Sequence, residues 1–495
     1  MNKNLLNIMT LVLLAILTLT TLVSSSVISS TGNAAVYNSA PKATDIPPES
    51  GKVNNNNGSS STPTPAATTE PTPGQTAAPA PTPTITPTST PKPSSTPTST
   101  PKPSSTSKPS SSPPLTPKPS STSKPSSTPT PIPTPTPSPT PVPAPAGKVV
   151  VGYYGGWAAY SGYTPDKIPA SSLTHLDYAF AKIGSDMKIA LGDTSIDPGN
   201  LTALIKLKSA NPNLKILISV GGWNDSGRFS DASFSDTNRT VFADSVVDFI
   251  LKYHLDGVDL DWEYPVSGGI SSNISRTEDK QNFTLLLSKV REKLDVQGKK
   301  DGKHYWLTIA GSSGSYYARN TELGKISKYL DYALVMTYDI HGIWDSYTDF
   351  NAPLYTPTES SPQARLSADS AIKMYISAGF PASKLVTGIP FYGYVYTGVT
   401  NANNGLYQHF TSSANASYDS IQSKYAANPA YKEYTSSADS PWLFDGSTYI
   451  SYDNEATIAL KTDYVKSHDL AGAGVWELSQ NKNGTLLKSI YKALR

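Results

Sequence analysis

The chain has 495 residues, 43 of them proline, with 16% charged residues, a formal net charge of +2 and no cysteine. The near-neutral charge and the lack of a basic patch argue against a nucleic-acid partner. The missing cysteines exclude disulfides, a thiolate nucleophile and cysteine-ligated zinc.

The first 26 residues carry one cation, Lys3, followed by an uncharged run from Leu5 to Val23. This pattern predicts a secretory signal peptide over residues 1–26, and hence an extracellular protein. The run is also nearly long enough to span a bilayer, so an uncleaved anchor that holds the protein at the cell surface is the alternative.

Residues 27–146 form a low-complexity segment rich in proline, threonine and serine, in which Thr-Pro-Lys-Pro-Ser-Ser recurs at Thr100 and Thr116. Such a composition offers too little apolar surface to offset the entropy of folding. We predict a disordered, extended linker with polyproline character. It either trails the secreted protein or holds the folded part away from a membrane or cell wall.

From residue 147 onward, short apolar runs alternate with amphipathic segments. The predicted strands are Val149–Tyr154, His175–Ala181, Lys215–Gly221, Gly257–Glu263, Tyr305–Gly311, Ala333–Tyr338, Leu385–Phe391 and Ala471–Glu477. The predicted helices are Asn200–Ala210, Thr237–Tyr253, Glu278–Val296, Thr321–Tyr329, Pro362–Ala378 and Glu455–His468. This alternation indicates an α/β fold, a (β/α)8 TIM barrel over residues 147–495. The long interruption at residues 394–451 predicts a small inserted α+β subdomain.

Three carboxylates alternate with apolar residues in the fourth predicted strand: Asp259, Asp261 and Glu263. Alternate residues leave a strand on the same face, so the three side chains point to one side. Like charges at this spacing cannot all stay ionised when buried. A proton retained on Glu263 would suit it to general acid catalysis.

A calcium loop and a solvated acidic edge strand are the alternatives for this segment. Calcium loops need a glycine at their sharp turn and polar spacers, whereas Val258 and Leu260 alternate as in a buried strand. The same apolar face argues against an exposed edge. We therefore favour a catalytic role and expect neither a metal nor a cofactor.

Active sites of TIM barrels gather at the carboxyl ends of the strands. These ends are dominated by aromatic and acidic side chains: Tyr153, Phe180, Trp223, Asp261, Glu263, Tyr264, Met336, Tyr338, Asp339, Tyr392 and Trp476. This combination suits glycoside chemistry, in which rings bracket a sugar and a carboxylic acid protonates the leaving oxygen. Ser219 is expected to bond the carboxylates, with an ordinary strand-end bond as the alternative, and Met336 is expected to pack beneath the site.

The run Asp256-Gly-Val-Asp-Leu-Asp-Trp-Glu resembles the signature of glycoside hydrolase family 18 chitinases. Four other segments resemble motifs that the family has on its third, sixth, seventh and eighth strands. In that order they are Ser219-Val-Gly-Gly-Trp223, Met336-Thr-Tyr-Asp339, Pro390-Phe-Tyr-Gly393 and Gly474-Val-Trp-Glu477. Five motifs in the same order cover residues from about 148 to 495. The insertion before the last strand further resembles the bacterial type of this family.

The resemblance implies that Glu263 is the general acid and base, and that Asp261 orients the substrate's acetamide group. The acetamide oxygen would attack the anomeric carbon, so the reaction needs no protein nucleophile. Asp259 would stabilise Asp261, and the Tyr338 hydroxyl would steady the acetamide. The implied activity is retaining hydrolysis of β-1,4 linkages in chitin or chito-oligosaccharides, by a monomer without a cofactor.

Further sugar contacts are implied at Asp339, which would bind hydroxyls, and at Trp476, which would form the floor of the site. Trp223 and Trp344 would stack on sugars along the cleft, whereas Trp442 is as compatible with the core of the insertion. Many relatives carry arginine where this chain has Tyr394. That departure puts any contact made by the arginine in doubt.

Two other functions are compatible with parts of this pattern. An endo-β-N-acetylglucosaminidase or a cell-wall glycan hydrolase would use the same acid. A lectin-like chitin-binding protein on this barrel would typically lose Glu263, which the chain retains. A purely adhesive surface role would leave the three carboxylates unexplained.

Overall fold

The computed structural model describes residues 142–358 and 366–495. The predicted signal peptide and the linker as far as residue 141 lie outside the described residues. Val142, in the predicted linker, donates its backbone N–H to the Lys328 carbonyl at 3.0 Å. In the described ranges, no helix combines the length and apolar character that a membrane crossing requires.

The described strands are numbered β1 to β14 in chain order. They are β1 Val149–Gly155, β2 His175–Ile183, β3 Ile189–Leu191, β4 Lys215–Gly221, β5 Gly257–Asp261, β6 Trp306–Ser312, β7 Tyr332–Met336, β8 Leu385–Pro390, β9 Tyr392–Thr397, β10 Ser412–Ser417, β11 Lys432–Thr435, β12 Pro441–Phe444, β13 Thr448–Ser451 and β14 Gly472–Trp476. Each of the eight predicted strands is present, and each predicted end lies within two residues of the observed one.

Eight of these strands form a closed parallel barrel in the order β1, β2, β4, β5, β6, β7, β8 and β14, and β14 pairs with β1. Strand β3 adds to β2 in antiparallel orientation. The register places Ser219, Asp259 and Thr308 side by side on β4, β5 and β6. The predicted (β/α)8 barrel is therefore confirmed.

The α-helices of the described part are Asp197–Ile205, Gly222–Asp225, Phe229–Phe234, Asp236–Tyr253, Asp279–Asp301, Ser315–Asn320, Leu323–Ile326, Ala368–Ser377, Tyr418–Ile421, Glu455–Ser467 and Thr485–Leu494. Side-chain N-caps fix several starts: Ser235, Ser367 and Asn454 accept bonds from backbone N–H groups of the first turn.

Helix prediction was less accurate than strand prediction. The predicted helix Thr321–Tyr329 is reduced to Leu323–Ile326, and the helix predicted from Pro362 begins at Ala368, with residues 362–365 outside the described part. The last helix, Thr485–Leu494, was not among the predicted helices.

The insertion is a five-stranded antiparallel sheet in the order β10, β9, β13, β12 and β11, and a short helix follows β10. This confirms the predicted α+β subdomain. Its first strand starts at Tyr392, two residues before the predicted boundary, because the chain passes from β8 into β9 with only Phe391 between them.

Strand β5 ends at Asp261, so Trp262 and Glu263 lie beyond the strand rather than within it as predicted. The Trp262 ring is 1% exposed and stacks on Phe229, with ring centroids 5.3 Å apart and planes at 11°. Its other neighbour, Phe283, meets it edge-on at 5.3 Å. This aromatic packing anchors the segment that carries Glu263 against the surrounding helices.

Candidate active site

A cleft of about 1400 Å3 opens at the carboxyl ends of the barrel strands. Its lining includes most of the predicted site residues: Tyr153, Phe180, Trp223, Asp261, Glu263, Tyr264, Met336, Tyr338, Asp339, Tyr392 and Trp476. Two predicted site residues, Asp259 and Trp344, are not part of this lining. The barrel therefore brings together residues from strand ends that are far apart in the sequence.

Asp259 is fully buried and accepts three hydroxyl hydrogen bonds. Tyr153 and Ser219 donate to Oδ2, each at 3.0 Å, and Thr308 donates to Oδ1 at 2.7 Å. Burial raises the pKa of Asp259, while these three hydroxyls act in the opposite direction. The expected bond from Ser219 is present. The three donors to Asp259 come from three different strands, β1, β4 and β6.

Asp261 lies one pleat further along β5, is 3% exposed and lines the cleft. Its Oδ1 atom has no hydrogen-bond partner among the described residues. Burial raises the pKa of Asp261 well above its usual range, and the charges of Glu263 and Asp259 raise it further. The site therefore holds a buried acceptor oxygen that a ligand N–H group would satisfy.

Hydrogen bonds to its backbone hold Glu263 in place at the cleft. Its N–H donates to the Ser226 hydroxyl at 2.8 Å, and its carbonyl accepts from the Asn273 amide at 3.0 Å. Burial raises the pKa of Glu263 from 4.5 to about 7, the Tyr264 hydroxyl lowers it, and the charge of Asp339 raises it. The side chain can therefore hold or release a proton near neutral pH, as a general acid and base requires.

Asp339 faces Glu263 from the segment that follows β7. Its Oδ1 atom accepts hydrogen bonds from the hydroxyls of Tyr392, at 2.5 Å, and Tyr394. Burial raises the pKa of Asp339 to about 6, although both hydroxyls act to lower it. The backbone N–H of Asp339 donates to the Asn351 side chain at 2.8 Å, which fixes the segment.

Aromatic rings form one side of the cleft around Trp476. Tyr153 meets this ring at 5.6 Å and 60°, and Phe180 stacks on it at 5.7 Å and 28°. Trp157, which the sequence analysis missed, packs against both Trp476 and Phe180. It lies in the 3-10 helix directly after β1, so reading a few residues past each strand end would have found it.

Of the described residues, the cleft lining contains no lysine, arginine or histidine but seven carboxyl side chains: those of Asp193, Asp197, Asp225, Asp261, Glu263, Asp339 and Glu477. Glu477 was predicted only as a strand end, and Asp193, Asp197 and Asp225 were not predicted. Asp193 follows β3, Asp197 begins the helix Asp197–Ile205 and Asp225 ends the short helix Gly222–Asp225, so none of the three belongs to an alternating strand pattern. Among the described residues, no group of three or more candidate ligands is arranged to hold a metal ion.

Two tryptophans lie away from the cleft lining. The ring of Trp344 is half-buried and meets Tyr394 edge-on at 5.7 Å. Because Trp344 does not line the cleft, its contact with a sugar stays a prediction. Trp442 is 6% exposed, and its Nε1 donates to the Asn404 carbonyl at 2.9 Å. Of the two interpretations of Trp442, the structure supports core packing in the insertion.

The titration of Glu263 gives a direct check of this electrostatic arrangement. We expect its side-chain carboxyl to titrate with a pKa of about 7 in the folded protein, followed by 13C NMR of labelled glutamate. Asp339→Asn removes a negative charge that raises this pKa, so the midpoint should move to lower pH. An unchanged midpoint in that variant would show that the two carboxyls do not interact.

Comparison with known proteins is consistent with this geometry. The chain matches the model of the family described as Glycosyl hydrolases family 18 over residues 149–481. Chitinase A1 of Niallia circulans is 42% identical over 398 residues, which cover 68% of this chain and 57% of that protein. Chitinase 1 of Aphanocladium album is 31% identical over 358 residues, covering 67% of this chain and 82% of that protein.

Solved structures give the same result. A glycoside hydrolase family 18 N-acetylglucosaminidase from Paenibacillus barengoltzii is 38% identical, with a TM-score of 0.65 over 70% of this chain and 100% of that one. Chitinase ChiA74 from Bacillus thuringiensis is 36% identical, with a TM-score of 0.67 over 70% of each chain. The match to the family model covers well over half of the sequence, and the chain therefore belongs to glycosyl hydrolases family 18.

Proposed function

We propose that the chain is a chitinase that hydrolyses β-1,4 linkages between N-acetylglucosamine units with retention of configuration. One observation carries the proposal: Asp261 presents a buried, unpaired acceptor oxygen beside Glu263 in the cleft. An acetamide N–H is a donor that fits this oxygen, and leaving it unpaired is costly. The substrate is therefore a 2-acetamido sugar rather than a glycoside in general.

Glu263 is the general acid in this proposal. It donates its proton to the glycosidic oxygen as the bond to the anomeric carbon breaks. The carbonyl oxygen of the substrate's acetamide attacks the same carbon and forms a cyclic oxazolinium ion. A water molecule then attacks that carbon and gives its proton to Glu263, which acts as the base. Two inversions at one carbon leave the configuration retained.

Asp261 holds the acetamide so that its oxygen can reach the anomeric carbon. Asp259 lies beneath it, and its three hydroxyl donors leave it able to carry the charge next to Asp261. Tyr338 is 7% exposed in the cleft, where its hydroxyl would steady the same group. The ring of Trp476 forms the floor beneath the sugar, and Asp339 binds its hydroxyls.

The names of the relatives support this choice of substrate. Several are described as chitinases, and one solved structure is of an N-acetylglucosaminidase. That enzyme and an endo-acting glycan hydrolase are the alternatives that use the same acid. The products formed from chitin, from N-acetylglucosamine oligomers and from a high-mannose glycopeptide would distinguish these activities, because each activity predicts cleavage at a different bond.

Replacing the general acid should stop turnover without removing binding. In Glu263→Gln we expect kcat to fall by about a hundredfold to ten-thousandfold, since the amide cannot donate a proton. Affinity for chito-oligosaccharides, measured by calorimetry, should persist. Glu292→Gln makes the same change at a 57% exposed side chain and serves as the control. Full activity of Glu263→Gln would refute the assigned role.

Replacing Asp261 tests whether the substrate supplies the nucleophile. In Asp261→Asn we expect kcat to fall about a hundredfold, because the acetamide is no longer oriented or stabilised by a carboxylate. The product anomer formed first by the wild type, read by 1H NMR, should be β. Asp463→Asn, at a 70% exposed side chain, is the matched control. An α product, or unchanged kinetics in Asp261→Asn, would contradict the mechanism.

We further propose that the protein acts outside the cell as a monomer, released by cleavage near residue 26 or held at the surface through its linker. The uncharged run after Lys3 and the proline-rich segment support this placement. N-terminal sequencing should find a chain in the medium that lacks Met1. Intact chain in the membrane fraction would favour the anchor instead.

A further inference from the structure

The carboxyl group of Asp339 is held by two tyrosines of the inserted sheet. Tyr392 and Tyr394 lie two residues apart on β9, so both side chains leave the same face of that strand. Both hydroxyls donate to Oδ1 of Asp339. Because neither bonds Oδ2, the second oxygen remains for a ligand in the cleft.

Among the described residues, no cation bonds the Asp339 carboxyl. The titratable groups around Asp339 are the hydroxyls of Tyr338, Tyr392, Tyr394 and Tyr396 and the carboxyl of Glu263. The lining contains no lysine, arginine or histidine. The histidine on the same loop, His341, directs its nitrogens to Asp345 at 3.2 Å and Asp349 at 3.5 Å. In the described part of the chain, the side chains that donate to the Asp339 carboxyl are therefore the neutral hydroxyls of Tyr392 and Tyr394.

Tyr394 is the more firmly packed of the two donors. Its side chain is 1% exposed, against 7% for Tyr392. Its ring meets Tyr392 at 5.8 Å, Trp344 at 5.7 Å and Tyr396 at 6.5 Å, each edge-on. A ring packed on three sides holds its hydroxyl in one place, which makes Tyr394 a rigid support for the Asp339 carboxyl.

We propose that Tyr394 is a positioning residue that acts through Asp339: it directs Oδ2 toward the substrate and keeps the negative charge that faces Glu263. This inference rests on the proposed function for its effect on catalysis. The effect on Glu263 itself requires no turnover, and it can be measured in the resting protein.

The direction of the effect follows from the hydrogen bonds. Without the Tyr394 hydroxyl, the ionised form of Asp339 loses one of two donors, so the pKa of Asp339 rises above its present value of about 6. Asp339 then carries less negative charge near neutral pH. Less charge beside Glu263 lowers the pKa of Glu263, and the alkaline limb of kcat moves to lower pH.

Tyr394→Phe tests this chain of effects with little change in packing. We expect the Glu263 titration, followed by 13C NMR, and the alkaline limb of kcat to move down by about 0.5 pH unit. KM for N-acetylglucosamine oligomers should rise about threefold as Asp339 loses its orientation. Tyr396→Phe is the control, because Tyr396 lies on the same strand and its hydroxyl has no partner among the described residues. It should leave all three quantities unchanged.

A double variant decides whether Tyr394 acts through Asp339. Asp339→Asn alone should lower the Glu263 midpoint, and adding Tyr394→Phe should lower it no further. A shift of equal size with and without Asp339 would overturn the proposal, as would a Tyr394→Phe titration that matches the wild type. Thermal unfolding of each variant checks that the insertion stays folded. Failure of the wild type to cleave any N-acetylated oligomer would instead refute the proposed function.

Discussion

The active end of this barrel depends on burying several carboxyl groups in a cleft whose described lining contains no lysine, arginine or histidine. Removing a carboxylate from water disfavours its charged form, and neighbouring charges of the same sign add to the cost. Asp259 meets this cost with three hydroxyl donors from β1, β4 and β6. Asp261 and Glu263 have no such set of donors, so protons and ligand groups must take their place.

The strand register places hydroxyl donors beside Asp259, and the inserted sheet places two further donors beside Asp339 on the opposite side of the cleft. Ser219, Asp259 and Thr308 are neighbours only because β4, β5 and β6 pair in parallel at one register. Across the cleft, β9 brings the Tyr392 and Tyr394 hydroxyls to Asp339. The inserted sheet is thus part of the electrostatics of the site, because its two hydroxyls lower the pKa of Asp339, whose charge raises the pKa of Glu263.

Much of this arrangement was predictable from local patterns. Alternating apolar and acidic residues in Asp256–Pro265 indicated the candidate site, and eight buried runs correctly predicted the barrel, since both signals depend on spacing within a single strand. The end of β5 was not predictable, because Trp262 leaves the strand to stack on Phe229, whose position depends on tertiary packing. Asp193 and Asp225 were missed for a related reason: one lies in a loop and the other ends a four-residue helix, and neither segment is long enough to show a periodic pattern.

Asp259 and Asp339 carry the same carboxyl group but differ in the hydrogen bonds that they accept, and this difference suits them to different roles. Three hydroxyl donors distributed over both oxygens of Asp259 bond each oxygen to the surrounding strands, which suits a buried support. Two donors on one oxygen of Asp339 fix its orientation but leave the other oxygen for a ligand. Asp261 lies at the other extreme, because its Oδ1 atom has no hydrogen-bond partner among the described residues and is left for the proposed substrate. The number of hydroxyl donors therefore ranks these aspartates from support to ligand contact.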